Sequence, residues 1–225
     1  MPQILLLNPN TNASTTNSMV QLLRAALPAS WRVRGVTATQ GTALITNAEQ
    51  LHTAAQQVQA CWQSVRTQAT WDAVVLACYA DPALHALRQA TGVPTVGIGQ
   101  AALLAASAGG QYFGIATTTP DLDAAMRAQV QQLGLSAQCT GLRYTHTPAT
   151  ALMDQPQQLQ QELLHAVQAC AQQDGAQRVV IGGGPLGAAA LQLAPYSPVP
   201  LIAPLSATAR WLQQHLQPSP PALQA

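Results

Sequence analysis

A single cysteine stands at the end of an apolar strand-like run, where a side chain is free to do chemistry. Cys78 closes the run Val74–Cys78 and precedes Asp81-Pro82, a pair typical of a helix start. A helix N-terminus stabilises a thiolate through its dipole, and such a thiolate acts as a nucleophile or removes a proton from carbon. We predict that Cys78 is catalytic, although a buried structural cysteine is the alternative.

The run that carries Cys78 recurs later in the chain without its cysteine. Val179–Gly183 repeats the pattern, and Gly183 stands where the thiol would be. The polar turn Asn8–Asn12 likewise has a counterpart in Thr117–Pro120. Elements that repeat in the same order at similar spacing predict two similar α/β halves.

The turns after these strand-like runs also carry groups that suit a carboxylate or a carbonyl oxygen. Amides, hydroxyls and backbone N–H groups at strand ends hold such oxygens and stabilise developing negative charge. Turn formation and helix capping explain the same residue types without a ligand. The predicted substrate-binding residues are Asn8, Thr11, Tyr79, Thr117, Thr118, Gly183 and Gly184.

Short β-type runs alternate with helical stretches, which predicts parallel sheets joined by crossover helices. We predict strands at 3–7, 32–37, 73–78, 94–98, 112–116, 138–143, 178–182 and 200–203. We predict helices at 14–27, 47–67, 82–91, 99–108, 121–133, 156–173, 186–193 and 206–216. The proline-rich stretch 217–225 is predicted to be disordered. No long linker separates the halves, so they should enclose a cleft.

Composition narrows the class of partner. Only 8% of the 225 residues are charged and the net charge is +1, which disfavours nucleic acid and anionic membranes. The apolar runs are shorter than a membrane span and the chain begins without a signal-peptide pattern, so we expect a cytoplasmic protein. We expect a small-molecule substrate, and the few charges also allow packing as a homo-oligomer.

The remaining chemistry-bearing residues form no motif for a metal or a cofactor. Gly182–Gly187 matches G-x-G-x-x-G, but no acidic residue follows Asp174 to bind a ribose, so we expect no dinucleotide. The five histidines and four cysteines show no metal-ligand spacing. We predict free thiols, with Cys61 and Cys170 in the core. His146 and His85 are more typical of surface histidines than of catalytic ones.

Taken together, these segments resemble the Asp/Glu/hydantoin racemase superfamily, nearest its hydantoin and allantoin racemase branch. The resemblance is carried by ILLLNPNTN at Ile4–Asn12, WDAVVLACYADP at Trp71–Pro82, VPTVGIGQA at Val93–Ala101 and the region from Val179 to Leu205. It implies two pseudo-symmetric α/β domains, each a short parallel sheet flanked by helices, with the active site in the cleft between them. The implied domains are 1–100 with 205–225, and 101–204.

The resemblance also implies a mechanism from which this chain departs. Racemases of the superfamily use two cysteines on opposite faces of the substrate; Cys78 matches the first, and Gly183 replaces the second. We therefore predict a cofactor-independent enzyme that acts on a small carboxylate or cyclic amide through Cys78 alone. Nucleophilic attack and one-face proton transfer are both open, as hydrolase, lyase or isomerase chemistry. The alternatives are a racemase with a substitute acid, such as His146 or water, and a non-catalytic ligand-binding module.

Overall fold

The structure is a computed structural model that describes residues 1–216, so the stretch predicted to be disordered lies outside the described residues. Apolar, β-branched runs form the strands, and each predicted strand is present. The strands are β1 (Gln3–Asn8), β2 (Arg32–Thr37), β3 (Ala73–Leu76), β4 (Thr95–Gly97), β5 (Phe113–Thr117), β6 (Cys139–Tyr144), β7 (Arg178–Gly182) and β8 (Leu201–Ile202).

These strands form two parallel sheets with the same topology. The strand order is β2-β1-β3-β4 in the first sheet and β6-β5-β7-β8 in the second. Leu7 pairs with Leu76 near the end of β1 and β3, and Thr117 pairs with Gly182 at the end of β5 and β7. The central strands are near-continuous apolar runs because helices cover both of their faces. The prediction of two similar α/β halves is confirmed.

The predicted helices are also present, with altered ends. The α-helices of the described residues are α1 (Ala13–Ala25), α2 (Ala48–Val65), α3 (Leu84–Thr91), α4 (Ile98–Ser107), α5 (Asp123–Gln132), α6 (Ala149–Leu152), α7 (Pro156–Gln172), α8 (Gly187–Leu193) and α9 (Pro204–Leu216). The Asn12 side chain caps α1 by accepting from the Thr15 N–H at 3.1 Å. The short helix α6 was not predicted, and 3₁₀ turns precede α5 and α8.

The prediction that Asp81-Pro82 begins a helix is wrong. Helix α3 begins at Leu84, and Ala83 before it has a left-handed backbone, with φ of 57°, and makes no side-chain cap. Asp81 is also left-handed, with φ of 47°, a region that Asp tolerates better than most residues. Its carboxylate instead accepts hydrogen bonds from the first turn of α4. The pattern was local, whereas the actual partner lies elsewhere in the chain.

One apolar core joins the two sheets. Its buried members include Leu6 of the first sheet, Phe113 of the second, Leu103 of α4 and Leu212 of α9. Fully burying a side chain of this kind contributes about 1.5–3 kcal/mol, so this shared core holds the halves together. Helix α9 packs on α1 and α4, and the domain boundaries near residues 100 and 205 stay a prediction. None of the described helices is long and apolar enough to cross a membrane.

Candidate active site

A pocket lies where the carboxyl ends of the central strands of both sheets come together. Asn10 follows β1, Cys78 follows β3, Thr118 and Thr119 follow β5, and the turn Gly182–Gly184 follows β7; all of them line it. Its cavity volume is about 60 Å³, which is enough to admit water-sized groups. Ligand sites of parallel α/β sheets lie at this end of the strands, so the pocket is the candidate active site.

Cys78 presents a protonated thiol to this pocket. The residue is partly exposed, and burial of the thiol raises its pKa to about 12, with a further contribution from the negative charge of Asp81. A hydrogen bond from the Ala80 backbone acts in the opposite direction. The sequence predicts that a helix N-terminus favours the thiolate; that prediction is wrong, because α3 begins only at Leu84 and burial raises the pKa of the thiol. At pH 7 a thiol of this pKa is ionised to a fraction on the order of 10⁻⁵.

The glycine turn after β7 brings backbone, and no reactive side chain, to the pocket. Gly183 has φ of 159° and ψ of 132°, and a Cβ built there would lie 2.9 Å from Leu186 Cδ1. Leu186 thus fills the space that a side chain at position 183 would need. A Cβ at Gly182 would lie 3.1 Å from Tyr79 Cε1. The turn is therefore packed from both sides, which fits a run of small residues.

The predicted binding residues divide into two groups. Cys78, Tyr79, Thr118, Gly183 and Gly184 line the pocket. The others, Asn8, Thr11 and Thr117, are not among its lining residues.

Asn8 supports the loop that reaches the pocket. Its side-chain amide donates to Asn10 Oδ1 at 2.8 Å and to Thr16 Oγ1 at 2.9 Å, and its Oδ1 accepts from the Asn10 N–H. The Thr11 N–H donates to the Thr42 carbonyl at 2.9 Å. Asn8 therefore holds Asn10 in place, and Asn10 is the residue of this loop that lines the pocket.

Thr117 has a similar supporting position in the second half. Its hydroxyl donates to the Gly182 carbonyl, which ties the end of β5 to the end of β7. Its Oγ1 lies 3.4 Å from Thr119 Oγ1. The next two residues of the chain, Thr118 and Thr119, line the pocket instead.

Sequence reasoning missed the apolar part of the lining. These side chains come from the loop after β2, from the start of α5, from the loop after α6 and from the turn before α8. They are Leu44, Ile45, Leu122, Met126, Met153 and Leu186. Isolated apolar residues in loops carry no signal that separates a pocket wall from the core. Their presence means that the pocket accommodates an apolar part of a ligand.

Acid–base groups are scarce in the pocket. Among its lining residues in the described part of the chain, Cys78 and Tyr79 alone have titratable side chains. His146 is exposed, and its backbone N–H donates to Glu162 Oε2 at 2.9 Å. His85 lines a different pocket, beside Asp81. Neither histidine lines the candidate active site. Of the two substitute acids named above, His146 and water, His146 is therefore not at the pocket.

Tyr79 contributes its ring rather than a free hydroxyl. The ring packs against Gly182, and the residue is 6% exposed. Its hydroxyl is buried without a hydrogen-bond partner among the described residues. Burial raises the pKa of this phenol well above its ordinary value. Within residues 1–216, no three His, Cys, Asp or Glu side chains are grouped so as to hold a metal ion.

Comparisons with known proteins agree with this architecture. The family model described as Asp/Glu/Hydantoin racemase matches residues 4–212. A hydantoin racemase of Rhizobium meliloti is 30% identical over 88% of this chain and 81% of that protein. A hydantoin racemase of Paenarthrobacter aurescens is 24% identical over 92% of this chain and 88% of that protein.

Solved structures give the same fold. Allantoin racemase from Klebsiella pneumoniae superposes with a TM-score of 0.88 at 26% identity, covering 100% of this chain and 97% of that chain. A glutamate racemase from Bacillus anthracis gives a TM-score of 0.70 at 16% identity, covering 96% of this chain and 82% of that chain. The second likeness is one of fold alone.

Proposed function

This chain belongs to the Asp/Glu/hydantoin racemase family, and from that premise we propose an enzyme in which Cys78 moves a proton at one face of its substrate. The substrate is a small hydantoin-like cyclic amide or carboxylate, and the reacting atom is the carbon beside its carbonyl. One observation carries the proposal: among the described residues that line the pocket, Cys78 alone supplies a thiol, and the facing turn supplies glycine backbone. Proton transfer needs no redox cofactor, because no electrons leave the substrate.

The lining of the pocket supports this substrate class. Thr118, Thr119 and Asn10 bring hydroxyl and amide groups that donate to carbonyl or carboxylate oxygens. The leucine and methionine side chains of the wall leave room for an apolar substituent on the ring. This chain is similar to a hydantoin racemase and an allantoin racemase. The molecules in those two names, hydantoin and allantoin, are cyclic amides. Asn8, Thr11 and Thr117 act in this proposal as supports of the polar residues.

The proton transfer itself follows from the state of the thiol. Deprotonated Cys78 removes the proton from carbon; the electron pair of that C–H bond forms a C=C bond to the carbonyl carbon, and the π pair of the carbonyl moves to its oxygen. The resulting thiol, which exchanges its hydrogen with solvent, then returns a proton or deuteron to the same face of that carbon as the C=O bond re-forms. A thiol with its pKa raised to about 12 is a good proton donor to a carbanion, and its thiolate is a strong but scarce base. Nucleophilic attack draws on the same scarce thiolate, whereas the protonated form that prevails at Cys78 is the form that donates a proton to a carbanion.

A one-face donor gives a single stereochemical outcome. Productive reactions of this type protonate a carbanion that is formed by loss of carbon dioxide or by elimination, and they yield one enantiomer. On the side of the Gly183 turn, backbone and Leu186 offer no acid that replaces the second cysteine. Isotope exchange at the carbon beside the carbonyl reports the same proton transfer without requiring the natural reaction.

The test is the rate of hydrogen–deuterium exchange of a 5-substituted hydantoin in D₂O. The unaltered protein should exchange the ring proton, and Cys78→Ala should lose that exchange. Cys139→Ala is the matched control, since Cys139 is partly exposed on β6 and does not line the pocket. Exchange that survives Cys78→Ala, or its absence from the folded, unaltered protein, would overturn the proposal.

Racemisation is the second candidate, favoured by the 30% identity to a hydantoin racemase. It requires a proton from the side of Gly183, with water as the donor. Loss of optical activity at the rate of deuterium entry supports it over one-face transfer. A folded protein that binds the hydantoin, by a shift of its melting temperature, without exchange supports the non-catalytic ligand-binding module.

A further inference from the structure

Asp81 closes the turn that carries the reactive thiol. It lies three residues after Cys78, and its backbone N–H donates to the Cys78 carbonyl at 2.9 Å. The residue is 9% exposed and its φ of 47° is left-handed. A buried aspartate in a sparsely populated backbone region persists only where its surroundings hold it there.

The Asp81 carboxylate is held from two other helices. It accepts from the Gly99 N–H at 3.2 Å and from the Gln100 N–H at 2.6 Å, both in the first turn of α4. It also accepts from Gln129 Nε2 of α5 at 2.6 Å. Gly97, which precedes α4, has no side chain to cap the helix. The Asp81 carboxylate, which is distant in sequence, instead accepts from the free N–H groups at the N-terminus of α4.

Gln129 makes a second hydrogen bond to the same turn. Its Nε2 donates to the Tyr79 carbonyl at 3.1 Å as well as to Asp81. Gln129 belongs to α5, which follows the first strand of the second sheet, whereas the Cys78 turn follows β3 of the first. The two hydrogen bonds therefore fix the position of the thiol relative to the opposite half of the cleft.

Two glycines show how closely this turn is pressed onto α4. A Cβ at Gly97 would lie 2.1 Å from Asp81 Cγ, and a Cβ at Gly99 would lie 1.8 Å from the Tyr79 carbonyl oxygen. Real Cβ atoms do not approach other atoms so closely, and one of these contacts is with backbone. The turn has no room to shift towards α4, so its position relative to α4 is fixed.

The electrostatic surroundings of the carboxylate are simple. Burial raises the pKa of Asp81 to about 8, while the backbone donors, Gln129 and the positive charge of Arg88 act to lower it. Cys78 and Tyr79 from its own turn titrate nearby, and the negative charge of Asp81 raises the pKa of both. From the packed helices, α3 presents Arg88 and His85, and α4 and α5 present the amides Gln100, Gln129 and Gln132.

We propose that Asp81 is a positioning residue that locks the Cys78 turn to α4 and α5 and, once ionised, places a negative charge beside the thiol. The inference rests on the proposed function only in taking Cys78 as the reacting group. Asp81 does not line the active-site pocket, so it acts through Cys78.

The test uses Asp81→Asn, which keeps the size and tolerates the left-handed backbone but removes the charge and one of the two accepting oxygens. Thiolate formation at Cys78 is followed by ultraviolet absorbance. The absorbance of the same protein with Cys78→Ser is subtracted, which removes the contribution of ionising tyrosines. We expect the titration midpoint to fall by about one pH unit, a tenfold change in the ionisation equilibrium. Asp123→Asn, a carboxylate of α5 outside this turn, is the control and should leave the midpoint unchanged.

Gln129→Leu separates the lock from the charge. It removes both hydrogen bonds to the turn and leaves Asp81 in place, so we expect a lower exchange rate constant with no fall in the thiol midpoint. If Asp81→Asn folds and the midpoint stays where it was, the inference is overturned. If Asp81→Asn does not fold, unchanged exchange in Gln129→Leu overturns it.

The two proposals fail in different ways. Thiol titration needs no turnover, so a shifted midpoint together with exchange that survives Cys78→Ala would refute the proposed function and leave the electrostatic role of Asp81 standing. Exchange that requires Cys78 together with an unshifted midpoint would refute the role of Asp81 alone.

Discussion

Placing a thiol at position 183 is predicted to need a second change. Gly183→Cys places a Cβ 2.9 Å from Leu186 Cδ1 and 3.0 Å from its Cγ, because Leu186 packs over the turn. We therefore pair it with Leu186→Ala, which clears that space. The double variant would carry one thiol on each half of the cleft, Cys78 after β3 and the new one after β7.

The contacts give the expected free energies of unfolding. Overpacking a core position costs about 1–3 kcal/mol, which we expect for Gly183→Cys alone. Leu186 is 2% exposed, and truncating such a leucine costs about 2–5 kcal/mol. In the double variant the new Cβ and Sγ occupy part of the space left by three leucine carbons. Its cost should therefore be smaller than the sum of the single costs by about 1–3 kcal/mol.

Urea unfolding of the unaltered protein, the two single variants and the double variant measures the coupling free energy between positions 183 and 186. Chiral chromatography of an enantiopure hydantoin incubated with each protein measures racemisation. We expect racemisation from the double cysteine variant alone. Gly183→Ser with Leu186→Ala is the matched control, since its hydroxyl has a similar size but is a far weaker acid. Additive free energies would refute the account of Leu186. A folded double variant that still exchanges without racemising would refute the reasoning that the absent thiol limits the chemistry.

Three further predictions concern stability. Tyr79→Phe removes a hydroxyl with no partner among the described residues, so chemical unfolding should show unchanged stability or a gain of up to about 1–3 kcal/mol; a clear loss would contradict this. Hydrogen bonds from Thr147 lower the pKa of Glu162 from 4.5 to about 2, so the resulting stability is present above pH 4.5 and lost towards pH 2. Glu162→Gln should flatten thermal stability across that window, and an unchanged slope would count against it. Burial raises the pKa of Asp81 from 3.8 to about 8, so stability should fall as pH rises between these values, and Asp81→Asn should reduce that fall.

The repeat in the sequence was enough to predict the two-sheet architecture and which strand-end turns meet at the pocket. Parallel strands share a carboxyl edge, so the residues after β1, β3, β5 and β7 had to lie near one another once the two halves packed together. The turns with Cys78 and Gly183 accordingly line one pocket. The sequence predicts Asn8 as a binding residue, whereas Asn10 lines the pocket, because the end of a strand does not reveal which side chain of the following loop faces the pocket.

The electrostatics could not be predicted from local pattern. Asp81-Pro82 has the chemistry of a helix start, yet the left-handed backbone at Asp81 directs the carboxylate to α4 and α5. The state of the Cys78 thiol depends on that placement and on burial, both of which are tertiary properties. The apolar wall, from Leu44 to Met153, is assembled from loops whose positions only the fold decides.

The configuration of the exchanged product tests the central claim most directly. An enantiopure 5-substituted hydantoin is incubated with the protein in D₂O and then analysed by chiral chromatography with mass detection, against a sample without protein. One thiol acting from one face predicts deuterium at the ring carbon with the original configuration retained. Deuterium that appears equally in both enantiomers, at the rate at which optical activity is lost, would contradict the account.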